Sequence, residues 1–283
     1  MGFLDEFRQK KDILSVENLL KIPIEFIDNN INALNKVIDY SCANITKFSS
    51  KRGPDGLNDW QRLSQKGVKT TSSTKLGAIV SYYGKKDFYV DQSCTVLLNM
   101  LNWSPEDKKI WKDFDQEKNV YVYHQGNAFE DIVPDFFKKK FSDYLIKNWN
   151  LDDIGLYISD YKQKTYNIYC RPDYLLYKLD SNNKITEGII VEVKSSSCKT
   201  KRLESYKYQL SLQGLLLQYF YPNVNFKYCL LFNDKMIEYS LTEMQQYQLD
   251  IVKYVPMFWE DLRTNNFKRI TVQELIEFFS KKS

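Results

Sequence analysis

The chain has 283 residues, 43% apolar and 15% aromatic, with 40 Lys and Arg against 36 Asp and Glu for a formal charge of +4. That composition excludes a disordered or fibrous chain and supplies enough apolar side chain for one large domain with a small appended region. It also excludes a chain-wide polycation, so any contact with a polyanion has to come from a local patch.

In chain order, apolar residues from Phe3 to about Phe48 recur at helical spacing, among them Leu19, Ile22, Ile27, Ile31, Leu34, Val37 and Ile38, and predict two or three helices. The polar, turn-rich run from Ser49 to Gly56 reads as a linker. It divides a helical amino-terminal region, 1–56, from a main domain, 57–283. Between Trp60 and Trp111 the pattern is again helical, and Ser104-Pro105-Glu106-Asp107 has the form of a helix start. A helix is expected from Asn127 to about Asn148, then strands at about 154–158, 165–170, 174–179 and 185–193. A helix over 203–219 follows, then a hairpin of 226–232 with 236–241. Capping-box patterns at Thr242 to Gln245 and Thr271 to Glu274 predict the starts of the last helices. The fold class is therefore mixed α/β (α+β), a central sheet flanked by helices.

Five cysteines, Cys42, Cys94, Cys170, Cys198 and Cys229, are scattered without a C-x-x-C pair. They read as buried thiols in a reducing compartment, and their spacing does not suit an iron–sulfur cluster. No stretch approaches the roughly 18 apolar residues of a membrane span, and the start of the chain lacks a signal-peptide core. The expectation is an intracellular protein, in the cytoplasm or a host nucleus, neither secreted nor in a membrane.

The chemistry concentrates on two adjacent strands. Asp173 follows Pro172 at the start of one, and Glu192-Val193-Lys194 ends the next, after the turn at Ser181 to Lys184. Residues two apart share a sheet face, so Glu192 and Lys194 point the same way, and pairing the strands brings Asp173 beside Glu192. Adjacent carboxylates repel unless a hard divalent cation lies between them, and Mg²⁺ takes one or two carboxylates together with waters and phosphate oxygens. Lys194 is placed to position or help deprotonate an attacking water. The bland alternative is an exposed Glu–Lys pair at a strand end.

Glu130, early in the predicted helix before these strands, can add a third carboxylate; alone it reads as an acid complementing the helix dipole. Gln209 and Gln213, one turn apart on the helix after Lys194, either orient Lys194 or hold a phosphate, or lie on a solvated face. Lys199, Lys201 and Arg202 form a short basic run suited to a DNA backbone or simply to water. Arg62, Lys66, Gly67, Thr70, Thr71 and Ser72, after Trp60, can form an anion site or an ordinary capped helix start. His124 is the chain's one histidine, which leaves no zinc site to assemble and suits a structural role.

Five segments taken together resemble the phage lambda exonuclease (YqaJ-like) branch of the PD-(D/E)xK nucleases, related to the herpesvirus alkaline nucleases. They are Trp60 with Gly67 to Ser72, Gly126 to Glu130, Arg171-Pro172-Asp173, Glu192-Val193-Lys194, and Tyr206 to Ser211, in that family's order. The resemblance implies a restriction-endonuclease-like core. It implies two Mg²⁺ or Mn²⁺ ions held by Glu130, Asp173, Glu192 and the Val193 carbonyl, with water activation by Lys194 and support from Gln209. It further implies 5′-to-3′ digestion of one strand of double-stranded DNA from an end, in recombination or repair beside a single-strand annealing protein. Some members of that family are trimeric rings. The resemblance assigns Thr70, Thr71 and Ser72 to a terminal phosphate. Where the family tends to place an arginine near Gly67, this chain has Gln65-Lys66, and Arg171 can supply the cation instead. Two alternatives stand beside the exonuclease. One is a structure-specific endonuclease of resolvase or restriction type; the other is a catalytically silent nucleic-acid-binding protein in a recombination complex.

Overall fold

A computed structural model describes residues 41–47, 53–88, 92–115, 129, 132–149, 154–160, 165–196, 198, 202–221 and 223–280. Nine strands form two sheets among them. One sheet has the order β1 (Ser41–Lys47), β4 (Ile154–Asp160), β5 (Tyr166–Cys170), β2 (Lys69–Ser72), with β2 parallel to β5 and the other pairs antiparallel. The other runs β3 (Leu145–Asn148), β6 (Tyr174–Leu179), β7 (Ile185–Lys194), β8 (Asn225–Phe232), β9 (Met236–Tyr239). Only β7 and β8 are parallel there.

The helices are α1 (Asp59–Gln65), α2 (Leu76–Gly84), α3 (Gln92–Met100), α4 (Val133–Lys140), α5 (Leu203–Phe220), α6 (Leu241–Thr264) and α7 (Val272–Ser280). Residues 105–115 are also helical. The mixed α/β class is as expected, and β4 to β7, α5 and the β8–β9 hairpin lie where the sequence pattern puts them. Among the described residues no helix is long and apolar enough to cross a membrane.

The five-stranded sheet is apolar on both faces, as a sheet covered on both sides requires. Ile189, Val191 and Val193 of β7 pack with Val133 and Phe137 of α4, whereas Ile190 faces the large core shared with α5, α6 and α2. The β6–β7 turn is built on Asp180, whose Oδ1 accepts the N–H groups of Asn182 (2.8 Å) and Lys184 (2.9 Å), with Asn183 in the left-handed region at φ 59°. That turn fixes the register Tyr174↔Val191. One step further along, Asp173 stands opposite Glu192.

Helix α5 crosses from β7 to β8 and is the central helix of the core. It is pressed close to the sheet at Gly214, where an added Cβ would lie 2.0 Å from the Tyr228 ring. Gly214→Ala is therefore expected to destabilise the protein by about 1–3 kcal/mol through overpacking, read as a lower urea midpoint. Wild-type stability in that variant would mean that α5 does not sit so tightly.

Four elements depart from the sequence pattern. Ser41–Lys47, inside the stretch read as helical, is a strand paired with β4 along its whole length. Lys69–Ser72, also read as helical, is strand β2, reached through Gly67 at φ 74°. The helix expected to reach Asn148 stops at Lys140, and Leu145–Asn148 pairs with β6. Phe141, Leu145 and Ile146 continued the helical spacing, but cross-strand pairing decides their conformation. Helix α6 is capped by Ser240 with Glu243, two residues before the predicted Thr242. The Thr271–Glu274 box and the Ser104 cap form as predicted.

Candidate active site

Glu192 is the electrostatic centre of the site. It is 3% exposed, on the α5 side of β7, and four neighbouring groups define its surroundings. Its Oε1 accepts the Gln209 amide at 2.5 Å and the Lys194 ammonium, and its Oε2 accepts the Gln213 amide at 2.6 Å. Asp173, opposite, accepts the Val193 N–H at 2.7 Å through Oδ2. Its own carbonyl accepts the Trp149 N–H at 3.2 Å, which ties the start of β6 to the end of β3.

Lys194 pairs with Glu192 and lies within the field of Asp173, with its ammonium 5.0 Å from the Tyr206 ring centroid. Burial pushes its pKa down, but Glu192 and Asp173 outweigh that and hold it above the ordinary lysine value. It is an ammonium donor in this state, since a protonated amine has no lone pair with which to take a proton from water.

The same burial raises the nearby Cys170 thiol well above its usual value, with Glu192 adding to the shift. Burial pushes Cys229 up to about 12. Cys94, Cys170 and Cys229 are buried free thiols as expected, whereas Cys198 is a free thiol only partly buried.

Helix α5 supplies the amides because Gln209 and Gln213 fall one turn apart on the side facing β7. The solvated-face alternative fails here: Gln209 is 5% exposed and Gln213 is fully buried. Gln213 also donates to the Arg171 carbonyl at 3.2 Å, so one side chain links the segment before Asp173 to Glu192. A second network fixes the helix from behind. Tyr208 donates to Asp250 of α6 at 2.7 Å, and Lys86 also pairs with Asp250.

These groups suit a hard divalent cation. The candidate ligand atoms are all oxygens, and the three hydrogen bonds that Glu192 accepts leave about one of its roughly four lone-pair positions for an ion. The Gln209 and Gln213 amide oxygens are buried and accept no hydrogen bond, which leaves hard acceptors beside the carboxylates. Among the described residues no cluster of three His, Cys, Asp or Glu forms. Glu130, the predicted third carboxylate, lies outside the described residues, as do His124, Lys199 and Lys201.

The predicted phosphate-binding residues divide. Thr70, Thr71 and Ser72 line a cavity of about 510 Å³ beside α3. Arg62 is outside that lining and is engaged by Asp55 through Nε (2.9 Å) and Nη2 (2.7 Å), while Lys66 is exposed at the end of α1. Arg171 is partly exposed beside the carboxylates, its carbonyl taken by Gln213. The cations that do line the cavity, Lys69, Lys75 and Lys108, were not singled out by the sequence pattern. Lys69 carried a signal in hindsight, a lone cation within a Thr-rich strand.

No protein-family model matches the chain, and no curated protein does. Among solved structures, one described as the crystal structure of SSO0001 aligns at 15% identity with a TM-score of 0.32. The alignment covers 74% of this chain and 88% of that one. That score is below what a shared fold requires.

Proposed function

We propose that the chain is a metal-dependent deoxyribonuclease, an exonuclease that digests one strand of duplex DNA from an end. The observation that carries this reading is the buried Glu192 carboxylate, paired to Lys194 and set opposite Asp173 just ahead of the neighbouring strand. A carboxylate pair with a lysine in one pocket is a poor core element and a good hydrolytic site. The order β6, β7, α5, β8, with α5 covering the Glu192 side, supports a restriction-endonuclease-like core.

Asp173, Glu192 and the Val193 carbonyl are the described groups that would hold Mg²⁺ or Mn²⁺, with Glu130 as a further ligand. Such a metal supplies a water of lowered pKa and polarises the scissile phosphate. Lys194 donates to the attacking water or to a phosphate oxygen, orienting the first and offsetting charge that develops on the second. Gln209 and Gln213 hold Glu192 in a single rotamer, and the apolar surroundings of β7 and α5 keep the pocket dry. Direction from a 5′ end, action in recombination, an annealing partner and ring assembly rest on the family resemblance alone.

The test is end dependence. Linear duplex DNA is expected to lose nucleotides from its ends in Mg²⁺ and not in EDTA, while a covalently closed circle survives. Nicking or linearisation of the circle would replace the exonuclease with an endonuclease of the same core. Cleavage undiminished by EDTA would remove the metal from the account.

A further inference from the structure

Lys194 has a second neighbour besides Glu192. The ion pair with that carboxylate engages one side of an ammonium that carries three donors on a flexible stem. Tyr206, near the start of α5, sets its ring beside the same ammonium, with the centroid 5.0 Å away. That ring is itself braced. It lies 6.0 Å from the ring of Phe232, a buried residue of β8 that is the cross-strand partner of Lys194. Tyr206 thus packs on the core at the point where β7 and β8 carry Lys194 to the end of the sheet.

We infer that Tyr206 is a positioning residue of the proposed hydrolytic site, its ring face holding the Lys194 ammonium through a cation–π contact. This deepens the nuclease reading and rests on it for its purpose, whereas the contact itself does not depend on that reading. A lysine side chain has many rotamers, and one ion pair leaves its ammonium able to swing about the carboxylate. A ring fixed beside it removes much of that freedom. The two holds also differ in kind. Glu192 is at once the partner of Lys194 and a proposed metal ligand, so its pull on the ammonium weakens when it shares its charge with a cation. The quadrupole of the ring is not shared in this way. With Glu192 and the ring fixing the ammonium, its remaining donors are left for a water or a phosphate oxygen.

The spacing along α5 fits this role. Tyr206, Gln209 and Gln213 stand at i, i+3 and i+7 and share one face of the helix. Gln209 and Gln213 bind the Glu192 carboxylate while Tyr206 meets the Lys194 ammonium, so a single helix orients both ends of the pair. The contact is made by the ring and not by the hydroxyl. Phenylalanine therefore keeps it, and leucine keeps apolar bulk at the same place without it.

The test begins with NMR of the full chain carrying ¹³C-labelled lysine, without metal or DNA. The signal of the Lys194 methylene next to the nitrogen is assigned by its absence from Lys194→Arg. Beside the ring face it is expected upfield of the exposed lysines, unchanged in Tyr206→Phe and moved back to their position in Tyr206→Leu. Cleavage of end-labelled duplex in Mg²⁺ follows. Tyr206→Leu should lower kcat about tenfold with KM within about twofold of wild type, and Tyr206→Phe should restore kcat. A Lys194 signal that is not shifted in wild type, or a shift that survives in Tyr206→Leu, would overturn the contact. Equal cleavage by the leucine and phenylalanine variants, or a loss confined to KM, would overturn the positioning role. Tyr206 is partly exposed, so the leucine variant should fold. Should it not, the wild-type shift and its retention in Tyr206→Phe decide the contact, and a slow Tyr206→Phe enzyme would overturn the role. A wild type with the shifted signal but no Mg²⁺-dependent product would refute the nuclease reading, and the role with it, while the contact stands.

Discussion

Asp173→Ala is expected to abolish Mg²⁺-dependent cleavage of duplex DNA, lowering the rate on the order of a thousandfold or more, because a lost metal ligand forfeits several kcal/mol of transition-state stabilisation. The fold should survive. Asp173 is partly exposed just ahead of β6, and the backbone N–H that it accepts belongs to Val193, the penultimate residue of β7, so its loss leaves the ladder between β6 and β7 in place. Wild type and variant are compared on end-labelled linear duplex at matched concentration, with circular dichroism as the check on folding. A folded Asp173→Ala protein that still cuts at the wild-type rate would place the chemistry elsewhere.

The second large effect falls on stability. Glu192→Ala removes the acceptor of three donors at once and leaves Lys194 buried without its ion-pair partner. Breaking a buried pair from one side costs about 3–5 kcal/mol, because the remaining charge keeps its desolvation penalty. The variant should therefore unfold at clearly lower urea with an unchanged m-value, and be inactive as well. Asp173→Ala should fall far less. A Glu192→Ala protein as stable as wild type would mean that Lys194 reaches solvent, which its 16% side-chain exposure argues against.

The pair has a pH signature of known sign. The Lys194 pKa is raised in the fold, so its contribution to stability is full below the ordinary lysine value. It is lost only as pH climbs through the raised value.

Much of this site was legible in the chain because it obeys local rules. An apolar run closed by Glu192 and Lys194, a turn-forming stretch before it, and a helix after it are signals of period two and period 3.6, and all formed in place. The amide spacing of Gln209 and Gln213 was legible too. Their burial was not, since it depends on α5 being covered by the sheet on one side and by α2 and α6 on the other. Long-range pairing also decided the misread elements. Ser41–Lys47 and Leu145–Asn148 have apolar spacing compatible with a helix, and become strands because β4 and β6 offer them hydrogen-bonding edges. The cation cluster of Lys69, Lys75 and Lys108 joins residues up to 39 positions apart in sequence, and no local pattern announces such a meeting.

A hard divalent cation between Asp173 and Glu192 is the centre of the proposed chemistry, and crystals soaked in Mn²⁺ test it directly. An anomalous peak is expected within coordination distance of both carboxylates and the Val193 carbonyl, with Lys194 beside it. Manganese bound only elsewhere, or these two carboxylates turned apart with no ion between them, would contradict it.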